Sequence, residues 1–402
     1  MLRPDGTPVP YFGTHGIRWL MERLCARGWS ATYEEGNPVA LHRDGAWITL
    51  EPGSQFELSG APFQHAEDVL AQARSFAAEV DAAIGDAPIR QVAVGFTPYA
   101  RIEDIQWVPK ARYEVMRAYL ARTGDLAHHM MKGSASVQAT FDFADEADCA
   151  RKVRLGALLG PLTTAMFANS PLYAGKPTGF QSYRGYVWTR TDPSRTGFPP
   201  AILDFSFERW VDYLLDVPMM FTHIDGQWAD GGGRTFRDWM QRGIDAVYPT
   251  QNDWDLHQTA VFPELRVKRQ IELRGADCVS LPLASAFVTL FEGLLYCDVA
   301  QELAAGIAER FATHGTQEDR HAIACKKGLR GVVGGRSLAS WAEQILEVSI
   351  KGLRHCGPVD RAHLAPLEAQ VARGESPAEF VLRTWEADPD PETFLEAITL
   401  RS

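Results

Sequence analysis

Extended runs and a hairpin signal crowd the early part of this chain, whereas helical periodicity fills it almost without a break from Leu281 to Leu400. That segregation points to an α+β arrangement, an antiparallel sheet covered by helices, and away from a βαβ winding, which needs strands and helices to alternate. The first helix is expected over Gly16–Cys25, where apolar residues recur at helical spacing and Gly28 supplies a stop. Alternating runs follow at Pro38–Arg43 and Ala46–Glu51, joined by Asp44-Gly45, a strong two-residue hairpin signal. Residues 65–84 return to helical periodicity, and Gln91–Phe96 and Ser136–Phe143 read as strands. From Ala144 to Phe167 the pattern is helical, with Asp145 and Asp148 at the end where acids favour a helix N-terminus. A loop-rich stretch runs from Asn169 to Pro200, and Lys268–Arg274 reads as a late strand. No Pro- or Ser-rich linker interrupts the 402 residues, so a single domain is expected.

Composition removes several classes of function. A net charge of -11, with no basic stripe, argues against binding a nucleic-acid backbone. No run approaches the roughly 18 apolar residues of a membrane span, and the N-terminus lacks the apolar stretch of a secretory signal. The six cysteines are scattered and form no CxxC pair, which suits reduced thiols in a cytoplasmic protein. Two Gly-rich stretches, Gly231–Gly233 and Gly331–Gly335, lack the Gly-Lys-Ser/Thr ending of a phosphate loop and are read as turns. His128 and His129 are adjacent, so they point different ways and make a poor metal pair.

Polar chemistry concentrates in four segments. In Leu50–Gly60, Glu51 ends a strand and Glu57 sits between Phe56 and Leu58, where a carboxylate is costly without a partner. Val137–Asp142 alternates polar with apolar residues. A loop from Phe167 onward carries Lys176, Arg184, Trp188, Asp192 and Arg195. Finally, period-2 spacing puts Arg266, Lys268, Gln270, Glu272 and Arg274 on one strand face. Such a face is commonly just solvated. The sharper reading is a cleft that mixes acids and bases around an anionic nucleotide, a cation and an amino acid.

In this order the segments resemble the plant-type glutamate–cysteine ligases, the branch shared by plants and many proteobacteria. The strings are Leu-Glu-Pro-Gly-Ser-Gln-Phe-Glu-Leu-Ser-Gly-Ala-Pro at 50–62, Val137-Gln138 with Asp142-Phe143, and Phe-Ala-Asn-Ser-Pro at 167–171. Matches continue through Gly-Lys-Pro at 175–177, Arg184, Trp188, Asn-Asp-Trp at 252–254 and Glu-Leu-Arg-Gly-Ala-Asp at 272–277, and weakly to the C-terminus. The resemblance implies a glutamine-synthetase-like fold, in which an antiparallel sheet forms a funnel covered by helices, with a helix-rich part from about 281. It implies an ATP- and Mg²⁺-dependent ligation of the γ-carboxylate of L-glutamate to the amine of L-cysteine through a γ-glutamyl phosphate, the first step of glutathione synthesis. The chain is then a cytoplasmic monomer or homodimer with no nucleic-acid or membrane partner.

By the same resemblance Glu51, Glu57 and Glu272 match metal-binding acids, with Gln138 lining that site, and Arg274 steadies the transferring phosphoryl group. Arg184 and Trp188 match positions around the glutamate; apart from the resemblance, Arg266 and Lys268 are candidates for nucleotide contacts. Three departures stand against the pattern. Family members carry a strand with two magnesium-binding glutamates upstream of the region matching Arg3–Trp19. They have arginine at Gly133 and asparagine at Thr140, and tryptophan with two arginines where this chain reads Cys-Val-Ser-Leu-Pro-Leu at 278–283. Two alternatives follow: a relative that joins glutamate to another amine, and a non-catalytic relative that only binds ligand.

Overall fold

A computed structural model describes residues 1–356 and 361–400. Four strands, β1 (Ser30–Glu34), β2 (Asn37–Arg43), β3 (Ala46–Leu50) and β4 (Phe56–Ser59), form an antiparallel meander in chain order. At the β2–β3 turn Asp44 and Gly45 have φ of 49° and 79°, so both central residues are left-handed. That is the hairpin geometry whose twist matches the flanking strands, and it is why Asp-Gly stands there. Helix α1 (Ile17–Cys25) buries Ile17, Leu20, Met21 and Leu24, one stripe at helical spacing. It closes one core with β2, β3 and α2 (Ala66–Ile84).

The second sheet is antiparallel in the order β6 (Leu265–Val267), β7 (Ile271–Asp277), β5 (Ser136–Phe141), with β7 in the middle. Here the expected strand Lys268–Arg274 is corrected. Residues 268–270 turn, and Arg266 stands opposite Glu272 on the neighbouring strand. The period-2 pattern survived because both arms of a hairpin present the same face. The expected strand Gln91–Phe96 is also corrected to two isolated bridges, Val92 to Thr399 and Phe96 to Ser134. Its backbone groups are taken by the C-terminal tail, with Ala93 N–H donating to Ile398 and Leu400 N–H to Gln91.

Against the second sheet packs the long helix α4 (Glu146–Phe167), while α3 (Ala111–Leu120) sets Tyr113 in the first core and Tyr119 and Leu120 in another. Asp145 caps α4 by accepting from the Asp148 N–H, and every residue from Leu155 to Phe167 is buried. A helix enclosed on all sides needs no amphipathic stripe. Its Pro161 has no N–H for the Ala157 carbonyl, and Gln317 Nε2 donates to that carbonyl instead. The late helices α6 (Leu281–Leu295), α7 (Asp298–Ala312), α8 (Gln317–Lys327) and α9 (Leu338–Cys356) pack around α4 in the largest core, α5 being the short helix Tyr183–Trp188. Gly334 and Gly335, both at positive φ, turn a minimal hairpin, and His128 Nε2 donates to the Arg117 carbonyl. No single helix among the described residues is long and apolar enough to cross a membrane.

Candidate active site

A cavity of about 510 Å³ opens where the two sheets and a third apolar cluster, around Phe96, Met130 and Val187, come together. All nine residues singled out from the sequence line it: Glu51, Glu57, Gln138, Arg184, Trp188, Arg266, Lys268, Glu272 and Arg274.

The first wall is built on the turn between β3 and β4. Glu51 N–H donates to the Gln55 carbonyl and Ser54 N–H to the Glu51 carbonyl, closing a tight loop. Gln55 fastens this loop to the rest of the chain, its Nε2 donating to the Met131 and Ser134 carbonyls at 3.1 and 3.0 Å. Gly53 is required, since a Cβ there would meet the Lys132 carbonyl oxygen at 2.4 Å. Ser54 sits at φ 70°, a left-handed conformation that costs a non-glycine residue energy. Glu57, opposite Thr49 on β4, has no ion pair among the described residues. Burial first, and then the like charge of Glu51, push its carboxyl from 4.5 to about 7 against the pull of Arg274.

The second wall, on β6 and β7, is fully paired. Glu272 accepts from Arg266 Nε at 2.7 Å and from Arg274 Nη1 at 2.8 Å. Burial alone raises its carboxyl, but Arg274, Arg266 and Lys268 outweigh that and hold it at about 2. Gln138 accepts from Arg274 Nη1 at 3.0 Å, so the Arg274 guanidinium is aimed by two neighbours on two strands. Behind it, Arg184 Nη2 donates to the Arg274 carbonyl at 2.9 Å and Nη1 lies 3.7 Å from Asp277. Asp277 also accepts from the Asn169 N–H and the Ser170 and Ser182 hydroxyls, at 2.7, 2.7 and 2.9 Å. Trp188 brings a buried indole N–H, without a hydrogen-bond partner among the described residues, to the third wall, beside Phe262. Lys268 is exposed on the β6–β7 turn at the rim.

Sequence reasoning missed Arg112, Tyr113 and the Cys278 thiol, all in the cavity wall. One signal for Arg112 existed. Lys110 and Arg112 open α3, the end of a helix where its dipole disfavours a cation, and Lys110 is pushed by burial down to about 8. The departures are accommodated locally: a Cβ on Gly133 would meet the Phe96 ring at 2.4 Å, and Thr140 pairs in register with Glu272.

Among the described residues no three His, Cys, Asp or Glu side chains are gathered to hold a metal ion by themselves. Both Glu272 oxygens are committed to arginines, which leaves Glu51 and Glu57. Mg²⁺ commonly takes only one or two carboxylates when phosphates and water complete its shell. The donor set therefore fits an ion that arrives with phosphate and not a resident one.

A sequence model described as glutamate–cysteine ligase family 2 matches residues 2–396. A chloroplastic glutamate–cysteine ligase B of Oryza sativa subsp. japonica is 37% identical over 388 residues, covering 93% of this chain and 77% of the relative. The chloroplastic enzyme of Brassica juncea is 38% identical over 369 residues, covering 90% and 71%. Among solved structures, glutamate–cysteine ligase from Francisella tularensis in complex with AMP superposes with a TM-score of 0.56 at 12% identity, over 87% of this chain and 80% of that one. The last likeness is one of fold, and it agrees with the helix-covered antiparallel sheet expected from the sequence. The expected cytoplasmic location is corrected: the plant relatives are named chloroplastic. The expectation rested on scattered cysteines and a missing apolar stretch, and neither test bears on a plastid address, which is amphipathic.

Proposed function

Because this chain belongs to glutamate–cysteine ligase family 2, we propose that it joins the γ-carboxylate of glutamate to an amine, cysteine by default, at the expense of ATP. The observation that carries the reading is one cavity with two unpaired acids, Glu51 and Glu57, on one wall and an arginine pair aimed by Glu272 on the other. In this scheme a γ-carboxylate oxygen attacks the terminal phosphorus of ATP, releasing ADP and forming an acyl phosphate. The amine then attacks the acyl carbon and phosphate leaves.

Phosphoryl transfer asks for positioning and charge neutralisation more than for covalent help. Arg274, already oriented by Gln138 and Glu272, faces the transferring group, and Arg266 and Lys268 take the neighbouring phosphates. Glu51 and Glu57 would hold Mg²⁺, which would supply charge neutralisation on the phosphate oxygens. Gln138 and Glu272, grouped with the metal by resemblance, both accept from Arg274 and support that arginine. Arg184 and Trp188 border the glutamate, the free indole N–H of Trp188 being a ready donor. The changed segment beginning at Cys278 touches the same cavity and supports the narrower alternative of a different amine acceptor.

The test is ADP release from the purified chain with MgATP and glutamate, with and without cysteine and a panel of other amines. Cysteine-dependent release, reduced roughly 10³-fold in kcat by Arg274→Ala, is expected. Release with another amine alone moves the assignment to that acceptor, and no release with any acceptor overturns it.

A further inference from the structure

Asp192 and Arg195 stand out in the sequence, yet the proposed reaction gives neither a task. Arg195 is wholly buried and lies behind the cavity wall, not in it. Its guanidinium grips four stretches of chain. Nε donates to Asp192 Oδ2 at 2.6 Å, Nη1 to the Ala260 carbonyl at 2.9 Å, and Nη2 to the Tyr119 hydroxyl and the Pro218 carbonyl at 2.6 and 2.7 Å. The Arg195 carbonyl in turn accepts from the Phe262 N–H at 2.8 Å. Each stretch runs on into the cavity wall. Tyr119 stands near the end of α3, whose earlier turns carry Tyr113 and Met116; Pro218 precedes Phe221; Ala260 and Phe262 are themselves wall residues. From the cavity side Arg266 Nη1 donates to the Thr259 and Val261 carbonyls at 3.4 and 3.2 Å. The carbonyls of residues 259–261 therefore alternate between two arginines, one in the wall and one behind it. A buried ion pair is weak evidence for stability, since apolar residues of similar volume often serve as well. What apolar packing does not supply is the fixed direction of a guanidinium fork.

We infer that Arg195 is a positioning residue for the glutamate side of the cavity, acting through Phe262 and Trp188. This rests on the proposed reaction, which puts Trp188 beside the glutamate. Trp188 is bracketed by two segments that Arg195 joins. One is the chain that follows it, where the Thr191 N–H donates to the Trp188 carbonyl at 3.4 Å and Asp192 takes the Arg195 Nε. The other is Phe262, whose ring centroid lies 5.9 Å from that of Trp188 at 64° and whose N–H is held by the Arg195 carbonyl. The cations proposed for the phosphates are aimed separately, Arg266 by Glu272 and Arg274 by Glu272 and Gln138. Loosening the fork therefore moves the glutamate contacts before it moves those cations.

The full chain and its Arg195→Lys and Tyr119→Phe variants, each alone and combined with Trp188→Phe, are compared in KM for glutamate and for MgATP. Arg195→Lys keeps a charge beside Asp192 and loses the fork. It is expected to raise KM for glutamate roughly 10- to 100-fold, with that for MgATP changed less than about threefold. Tyr119→Phe removes one acceptor, leaves the ion pair intact, and should raise KM for glutamate roughly three- to tenfold. In the Trp188→Phe background each substitution should add less than about threefold, because the group it positions is already gone. A merely structural arginine would not show that loss of effect. An unchanged KM for glutamate, an equal rise for glutamate and MgATP, or full additivity with Trp188→Phe overturns the inference. Should Arg195→Lys fail to fold, Tyr119→Phe and its double variant decide on the same criteria. A wild-type chain that releases no ADP sinks the ligase reading separately; calorimetric titration of glutamate into the same proteins then decides the role of Arg195. Equal binding by wild type and the variants, or none by wild type, overturns it.

Discussion

Glu272 and Glu57 face one cavity from different strands and are held in opposite states. Glu272 has two arginines and sits at about 2; Glu57 has no ion pair, feels Glu51, and sits at about 7. On the β6–β7 wall each buried charge is matched by a neighbour, from Glu272 outward to Arg184 and Asp277, and Lys268 is solvated at the rim. The β3–β4 wall leaves Glu51 and Glu57 without an ion pair among the described residues, so a bound cation would lower its energy. Stability is thus stored on one side and proposed binding capacity on the other, and a wall that would take up a metal has reason to be left unpaired.

Removing an acid should therefore have opposite signs on the two walls. Asp277→Asn strips the counter-charge from Arg184, which is 4% exposed, while three donors still point at the site. The expected loss is about 3–5 kcal/mol, the usual consequence of leaving a buried charge alone. Urea midpoints measure it, and a loss under about 1 kcal/mol would mean that the paired wall is not where stability resides.

Glu57 gives the next effect, and the comparison sharpens into a pH dependence. Its folded pKa is raised, so the stability it contributes is complete below about 4.5 and is lost as pH rises through about 7. Glu272, with a depressed pKa, contributes above about 4.5 and loses that as pH falls toward 2. Glu57→Gln should accordingly gain on wild type by about 1–3 kcal/mol between pH 5 and pH 8, allowing for partial solvent screening. MgATP should flatten the wild-type slope over the same range. Parallel stability curves for the two proteins would show that Glu57 is not the frustrated group.

How much of this was legible follows from where each signal lives. The stripe of α1, the Asp44-Gly45 turn and the Asp145 cap of α4 are local, and each element formed where its pattern lay. The 91–96 segment failed because its partners lie at 398–400, beyond any local pattern. Lys268–Arg274 failed in the opposite way, since its alternation was real but spans a turn. The site acids and Arg274 came from a resemblance carried by whole strings. Their neighbours Asp277 and Arg112 had no assigned role, because a buried counter-ion and a guanidinium in the cavity wall exist only once distant strands and the start of α3 have met.

The smallest expected effect separates strain from polarity on the incomplete wall. Ser54 holds the Glu51 turn at φ 70° and buries a hydroxyl with no partner. Glycine adopts that φ freely, which recovers about 1 kcal/mol or more of strain, but it returns roughly 0.5–1 kcal/mol through the entropy of the unfolded chain. Loss of the orphaned hydroxyl adds about 1 kcal/mol in favour of the variant. Ser54→Gly should therefore stabilise the protein by about 1 kcal/mol in thermal or urea unfolding, and Ser54→Ala, which keeps the strain, by less. If Ser54→Gly instead destabilises, the turn is held by its side chain and the strain argument fails. If it stabilises while KM for MgATP rises, the strained turn is what orients Glu51 in the cavity, and the unpaired wall is a property of the backbone as much as of its charges.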